Sequence, residues 1–221
     1  MQADKLISSR IESVTSSTTG KEALNIMSKF RTNHLAVVEK EIYLNIISDK
    51  EILNWNSQEE KIKDHLPNLA SPYVLYNQHL FDIVEIVEKN NLSVIPVLNK
   101  ETKYQGVITN KKLLYTIAKS SGVQSKGSIF VIEINDYDYS LSELSSIIES
   151  NDTKILSLYI TSIPNSRKIE VTIKVNQINI RPIIKDLERY SYNIINLYKE
   201  NQEDNDLIME RYLSLMKFIN P

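Results

Sequence analysis

Roughly the first 120 residues of this 221-residue chain are one pattern written twice, and that duplication limits the possible folds more than any other feature. One copy runs from Val14 to Leu53 and the other from Val74 to Leu114. At an offset of 60, Val14 meets Val74, Ile26 meets Ile86, Val37 meets Val97 and Val38 meets Leu98; one inserted residue later Asn45 meets Gly106, Ser48 meets Thr109 and Leu53 meets Leu114. The copies share pattern rather than identity. Half-domains of this size can pair about a pseudo-twofold axis, which leaves two related clefts where equivalent elements meet, and such clefts are common ligand sites. The repeat therefore points to binding before catalysis.

Each copy reads as helix, strand, strand, helix. In the first, Thr18 or Thr19 caps a helix with Ala23, Leu24, Met27 and Phe30 at helical spacing; strands follow at 35–38 and 44–47, and Ser48 caps a helix holding Ile52 and Leu53. In the second, a helix over 79–89 precedes strands at 94–98 and 106–108, and Thr109 or Asn110 caps a helix over 110–119. A polar linker over 54–71, with Pro67 in it, is expected to hold a short helical turn. Gly122 and Gly127 among small polar residues mark a domain boundary over 120–128. Beyond it the pattern predicts strand 129–134, helix 141–149 started by Ser140, strand 155–161, strand 168–175, helix 180–190 with Pro182 in its first turn, and strand 192–198. That order is the split arrangement of ferredoxin-like domains. A polar stretch over 199–206 leads to an amphipathic helix with Leu207, Ile208, Tyr212, Leu215, Met216 and Phe218, a stripe expected to dock within a homodimer.

Composition removes several function classes. The 42% hydrophobic content supports real cores, and the absence of cysteine excludes disulfides, thiolate metal sites and cysteine nucleophiles. A net charge of −2 with interleaved signs offers no basic field, so no nucleic-acid partner is expected. No segment approaches the ~20 apolar residues that span a bilayer, and residues 1–10 lack a signal-peptide core, so the expectation is a cytoplasmic protein without a membrane partner. Four glycines cannot supply a Walker loop or a dinucleotide fingerprint. His34, His65 and His79 have no metal-ligand spacing, and no nucleophile and base are set beside one another, so neither a metal nor an enzyme is expected.

Two segment pairs carry a family resemblance: 34–38 (HLAVV) with 45–53 (NIISDKEIL), and 95–98 (IPVL) with 106–114 (GVITNKKLL). They resemble a tandem cystathionine-beta-synthase (CBS) domain pair, the Bateman module, with repeats over 1–60 and 61–121. Residues 128–199 resemble an ACT-type domain, and 203–221 form the terminal helix. The combination is similar to the bacterial acetoin-utilisation family of CBS-domain proteins, and it implies an α/β (α+β) fold with a ferredoxin-like C-terminal domain.

The CBS resemblance implies adenine nucleotide binding through a glycine, a strand, a hydroxyl and an acid three residues on. There the hydroxyl meets phosphate and the carboxylate accepts from ribose. Carried over, the ligand-binding residues are Ser48 and Glu51 in the first copy, Thr109 and Lys112 in the second. The first copy has Asn45 for the glycine and Glu51 for the usual aspartate. The second keeps Gly106 but has Lys112, which cannot accept a hydrogen bond; Lys111 or Lys112 can instead meet phosphate as a point charge, which favours a polyphosphate tail or a dinucleotide. In the ACT-type segment, Glu133, Asp136, Asp138 and Glu143 crowd the first strand-to-helix turn and Tyr139 takes the usual glycine place. That charge disfavours an amino-acid carboxylate and favours self-association or signal transmission. The resulting expectation is a non-enzymatic, homodimeric sensor of AMP, ADP, ATP or an adenine dinucleotide, with no cofactor. The alternative is a ligand-free module for dimerisation and partner docking.

Overall fold

The computed structural model describes residues 1–8, 11–66 and 71–198; the expected terminal helix and Pro67 lie outside the described residues. The chain divides into two compact units, Met1–Ile117 and Ala118–Pro221.

In the first unit the elements are α1 (Gly20–Phe30), β1 (His34–Glu39), β2 (Ile42–Ser48), α2 (Asp49–Leu53), β3 (Val74–Leu75), α3 (Leu80–Lys89), β4 (Val94–Leu98), β5 (Tyr104–Thr109) and α4 (Asn110–Ser120). Thr19 starts α1 through a capping box with Glu22, and Arg31 ends it in the left-handed region. The start of α3 is less orthodox. His79 Nδ1 accepts from the Phe81 N–H at 3.3 Å while Asp82 accepts from the His79 N–H at 3.1 Å, so an imidazole stands where a hydroxyl usually does.

The repeat survives in detail. Antiparallel β1–β2 shifts register between Val37 and Val38, leaving Leu44 as an extra residue; β4–β5 shifts between Val97 and Leu98, leaving Gln105. The parallel pairing Val74 to Val97 has its counterpart in the parallel bridge Val14 to Val37. The inserted residue sits in the hairpin loop. The first copy turns through Lys40 and Glu41, both at positive φ as a two-residue turn requires, and the second uses one residue more. Each copy has its own core, with Leu35, Val37 and Ile52 fully buried in the first and Ile83, Ile95 and Ile108 in the second; Ala36, Val94 and Val107 close a smaller cluster where the copies meet.

A polar clasp also joins the copies. The Ser93 N–H donates to His34 Nδ1 at 3.2 Å, Ser93 Oγ lies 3.0 Å from the same nitrogen, and Ser93 Oγ accepts from the Asn33 N–H at 3.0 Å. An imidazole that accepts at Nδ1 must be neutral there. Burial lowers the His34 pKa, outweighing the opposing pull of Asp49 and Glu51, while Lys50 adds to the lowering. The folded state therefore holds the neutral form, and its stability is full above the unfolded histidine value of about 6.5 and is lost as pH falls below it. Urea unfolding at pH 7.5 and pH 5 should show lower stability at the acid end, and His34→Gln, which keeps an acceptor for Ser93, should flatten that slope. An identical slope in the variant would dismiss His34 as its source.

The second unit comprises β6 (Ile129–Asn135), α5 (Leu141–Glu149), β7 (Ile155–Ser162), β8 (Lys168–Val175), α6 (Arg181–Arg189) and β9 (Asn193–Tyr198). Its sheet is antiparallel throughout, in the order β7-β8-β6-β9, the ferredoxin-like arrangement the element order predicts. Strand β8 alternates buried Ile169, Val171, Ile173 and Val175 with less buried polar residues. Those residues, with Phe130 and Ile132, meet Leu144 and Ile148 of α5 and Ile183 and Leu187 of α6, so both helices cover one sheet face. Ser140 caps α5 and Pro182 stands in the first turn of α6, as expected.

Glu133, Asp138 and Glu143 of the acidic segment each have a hydrogen-bond partner. Asp136–Asp138 forms a short 3-10 turn in which Asn135 donates to Asp138 at 3.0 Å. Lys168 meets Glu133 at 2.7 Å, and the Tyr192 hydroxyl donates to Glu143 at 2.7 Å. Burial and that carboxylate raise the Tyr192 pKa.

Candidate ligand clefts

The two strand-to-helix junctions have diverged in chemistry. In the first copy Ser48 is the N-cap of α2 and is tied up in a reciprocal capping box: Ser48 Oγ and the Ser48 N–H both donate to Glu51 Oε2 at 2.7 Å, and the Glu51 N–H donates back to Ser48 Oγ at 3.2 Å. Each expected ligand residue is thus the other's partner. They also face different spaces. Glu51 lines a cavity of about 290 Å³ with Asn45, Ile47, Trp55, His65 and Leu66. Ser48 lines a wider cavity of about 830 Å³ with Asn33, His34, Asp49, Ser93 and Leu113.

The smaller cavity, cleft one, has an aromatic wall. The Trp55 and His65 rings stack 4.0 Å apart with their planes 10° from parallel, and His65 Nε2 lies 2.5 Å from Glu60 Oε2. Asn45, where the family pattern has glycine, is buried, and its Oδ1 accepts from the next residue's N–H at 2.7 Å. Cleft one thus carries Glu51, with Glu60 behind His65, and among the described residues no lysine or arginine lines it.

In the second copy Thr109, Lys111 and Lys112 line one cavity of about 510 Å³, cleft two, with Ile7, Ser8, Ile11, Phe30 and Tyr115. All three expected residues of this copy come together, and the far wall comes from the N-terminal segment and the end of α1. Thr109 Oγ1 accepts from the Lys112 N–H at 3.0 Å, the counterpart of the Ser48–Glu51 amide bond. The reciprocal half is missing because a lysine occupies the acid's position, so the Thr109 hydroxyl proton has no carboxylate to meet. Gly106 lies beneath, at φ +136°, with a bridge from Ser8 to Val107 drawing the N-terminal segment across it.

The family resemblance located Thr109, Lys111 and Lys112 but not Ile7, Ser8 and Phe30, which arrive from some eighty to a hundred residues away. Trp55 both joins the first copy's core cluster and walls cleft one. Among the described residues no group of three or more His, Cys, Asp or Glu is placed to hold a metal, and no helix is long and apolar enough to cross a membrane.

The model of the CBS domain matches residues 3–57 and 64–119, half of the chain in two consecutive spans that coincide with the two copies. This chain belongs to the CBS-domain family. Solved structures similar to about half of this chain include a CBS domain pair/ACT domain protein from Thermotoga maritima, 16% identical, covering 54% of this chain and 98% of that one with a TM-score of 0.49. Others are CBSX2 in complex with AMP, at 15% identity, 53% and 96% coverage and TM-score 0.46, and the cytosolic domain of the Mg2+ channel MgtE in complex with ATP, at 15%, 52% and 48%, and 0.45. The CBS pair is followed by a unit with the ferredoxin-like sheet order of ACT-type domains.

Proposed function

We propose that this protein is a non-enzymatic regulatory module whose CBS pair binds an adenine nucleotide and passes the signal through its ACT-like unit or through a homodimer. The observation that carries the reading is that the repeated strand-to-helix junction borders a cleft in both copies, at Glu51 in one and at Thr109 and Lys112 in the other. Both clefts combine apolar walls with a few polar groups, the composition of small-molecule sites. A family that includes nucleotide-binding members supports the ligand class. Ligand would act by binding one arrangement of the two copies better than another, which is the only way it can shift their balance. The working setting is the cytoplasm, with no nucleic-acid or membrane partner.

The test is calorimetric titration and thermal denaturation of the full chain with AMP, ADP, ATP and an adenine dinucleotide. A ligand present at a hundred times its Kd should raise the melting temperature by roughly 5 °C or more. Trp55, the one tryptophan of the chain, adds a local reporter, because its ring walls cleft one and occupation there should change its fluorescence. No heat, no shift and no fluorescence change with any of the four would leave the alternative, a ligand-free docking module.

A further inference from the structure

We infer that cleft two recognises a polyphosphate chain and is indifferent to the sugar, so that its ligand class is the nucleoside di- and triphosphates; this rests on the nucleotide-binding reading above. Position 112 holds a lysine where the first copy has Glu51. A lysine there has two consequences that an acid could not have together. It removes the carboxylate that would complete the capping box, as Glu51 does at 2.7 Å from Ser48 Oγ, and so leaves the Thr109 hydroxyl proton to point at a ligand oxygen. It also puts a cation where the family pattern places a ribose acceptor, and an ammonium donates only.

The surroundings strengthen both effects. Among the described residues, Lys111 and Lys112 form no ion pair with any carboxylate and no aspartate or glutamate lines the cleft. Lys112 is half-buried, against walls that include Ile7, Ile11 and Phe30. A cation partly withdrawn from water beside apolar walls gains most from an anion that enters with it. Two lysines, one threonine hydroxyl and Ser8 match several phosphate oxygens better than one phosphate. The volume, about 510 Å³, falls within the range of sites for ligands of this size. Cleft one has the opposite character, with its carboxylate, its smaller volume and no lysine or arginine in its lining among the described residues, so a polyphosphate is steered to cleft two.

Calorimetric titration of the full chain with ATP, ADP, AMP, dATP and inorganic tripolyphosphate tests this, beside the Lys112→Glu and Lys112→Ala variants. Lys112→Glu recreates the acid found in the first copy and should complete a capping box at Thr109, so the helix start is kept; circular dichroism checks the fold of both variants. The expected results are an affinity that rises at least tenfold from AMP to ATP, dATP within about threefold of ATP, competition by tripolyphosphate, and loss of the ATP preference in both variants. Nucleotides that bind without ranking by phosphate number, a tenfold penalty for dATP, or variants that bind like the wild type would overturn this inference while leaving the nucleotide reading in place. Tripolyphosphate binding with no nucleotide binding, or no binding by any probe, would end both.

Discussion

Gly127→Ala is expected to destabilise the ACT-like unit by about 3 kcal/mol or more, a fall of roughly 1–3 M in the urea midpoint followed by circular dichroism. Gly127 has φ +147°, and a Cβ built on it would lie 1.8 Å from the Val175 carbonyl oxygen. Two penalties coincide: a backbone region that L-residues avoid, and an overlap with main chain that no rotamer relieves. The site is also where the sheet is assembled. The next residue, Ser128, is fully buried; its N–H donates to the Gln177 carbonyl at 2.9 Å, its carbonyl accepts from the Val175 N–H at 3.0 Å, and its hydroxyl donates to the Ile178 carbonyl at 2.9 Å. Any shift that makes room for a methyl group stretches these bonds and the β6–β8 pairing they begin. An unchanged midpoint would mean that the chain relaxes around position 127 at little cost.

The second large effect is expected at Gly106, where stability and ligand binding should fail together. At φ +136° a valine is strained, and its Cβ would meet Ile7 Cγ2 at 2.6 Å. Ile7 is one wall of cleft two, so Gly106→Val pushes the N-terminal segment away from β5 and disrupts the Ser8 to Val107 bridge. The expected loss is about 2–4 kcal/mol in urea unfolding, with nucleotide affinity at cleft two falling at least tenfold in calorimetry. In the first copy Asn45 holds the equivalent position without a positive φ, so Asn45→Gly should leave backbone geometry there undisturbed. A Gly106→Val protein that melted and bound like the wild type would show that the glycine is incidental.

Much of this fold is legible in the sequence because its signals are local. Ser48, Thr19 and Ser140 announce helix starts, Pro182 fits the first turn of α6, and the two-residue period of β8 marks its buried face. The cap at His79 is hidden, since histidine rarely serves as one, and β3 is only two residues long, with too little pattern to register. At the site, Ser48-Asp49-Lys50-Glu51 carries the spacing of a capping box, and that local bond competes with the ribose contact the family pattern suggests. The Trp55–His65 stack joins residues ten apart across a linker without periodicity, and Ile7 reaches cleft two by long-range pairing. Neither leaves a trace that spacing alone can reveal.

The matched bulges at Leu44 and Gln105 pin the register of both hairpins. A regular hairpin can slide by a residue and turn its side chains to the opposite face, whereas an extra residue fixed at one rung forbids the slip. An irregularity repeated at the same rung in both halves is hard to arrive at twice, and argues that one ancestral segment was copied with its flaw intact.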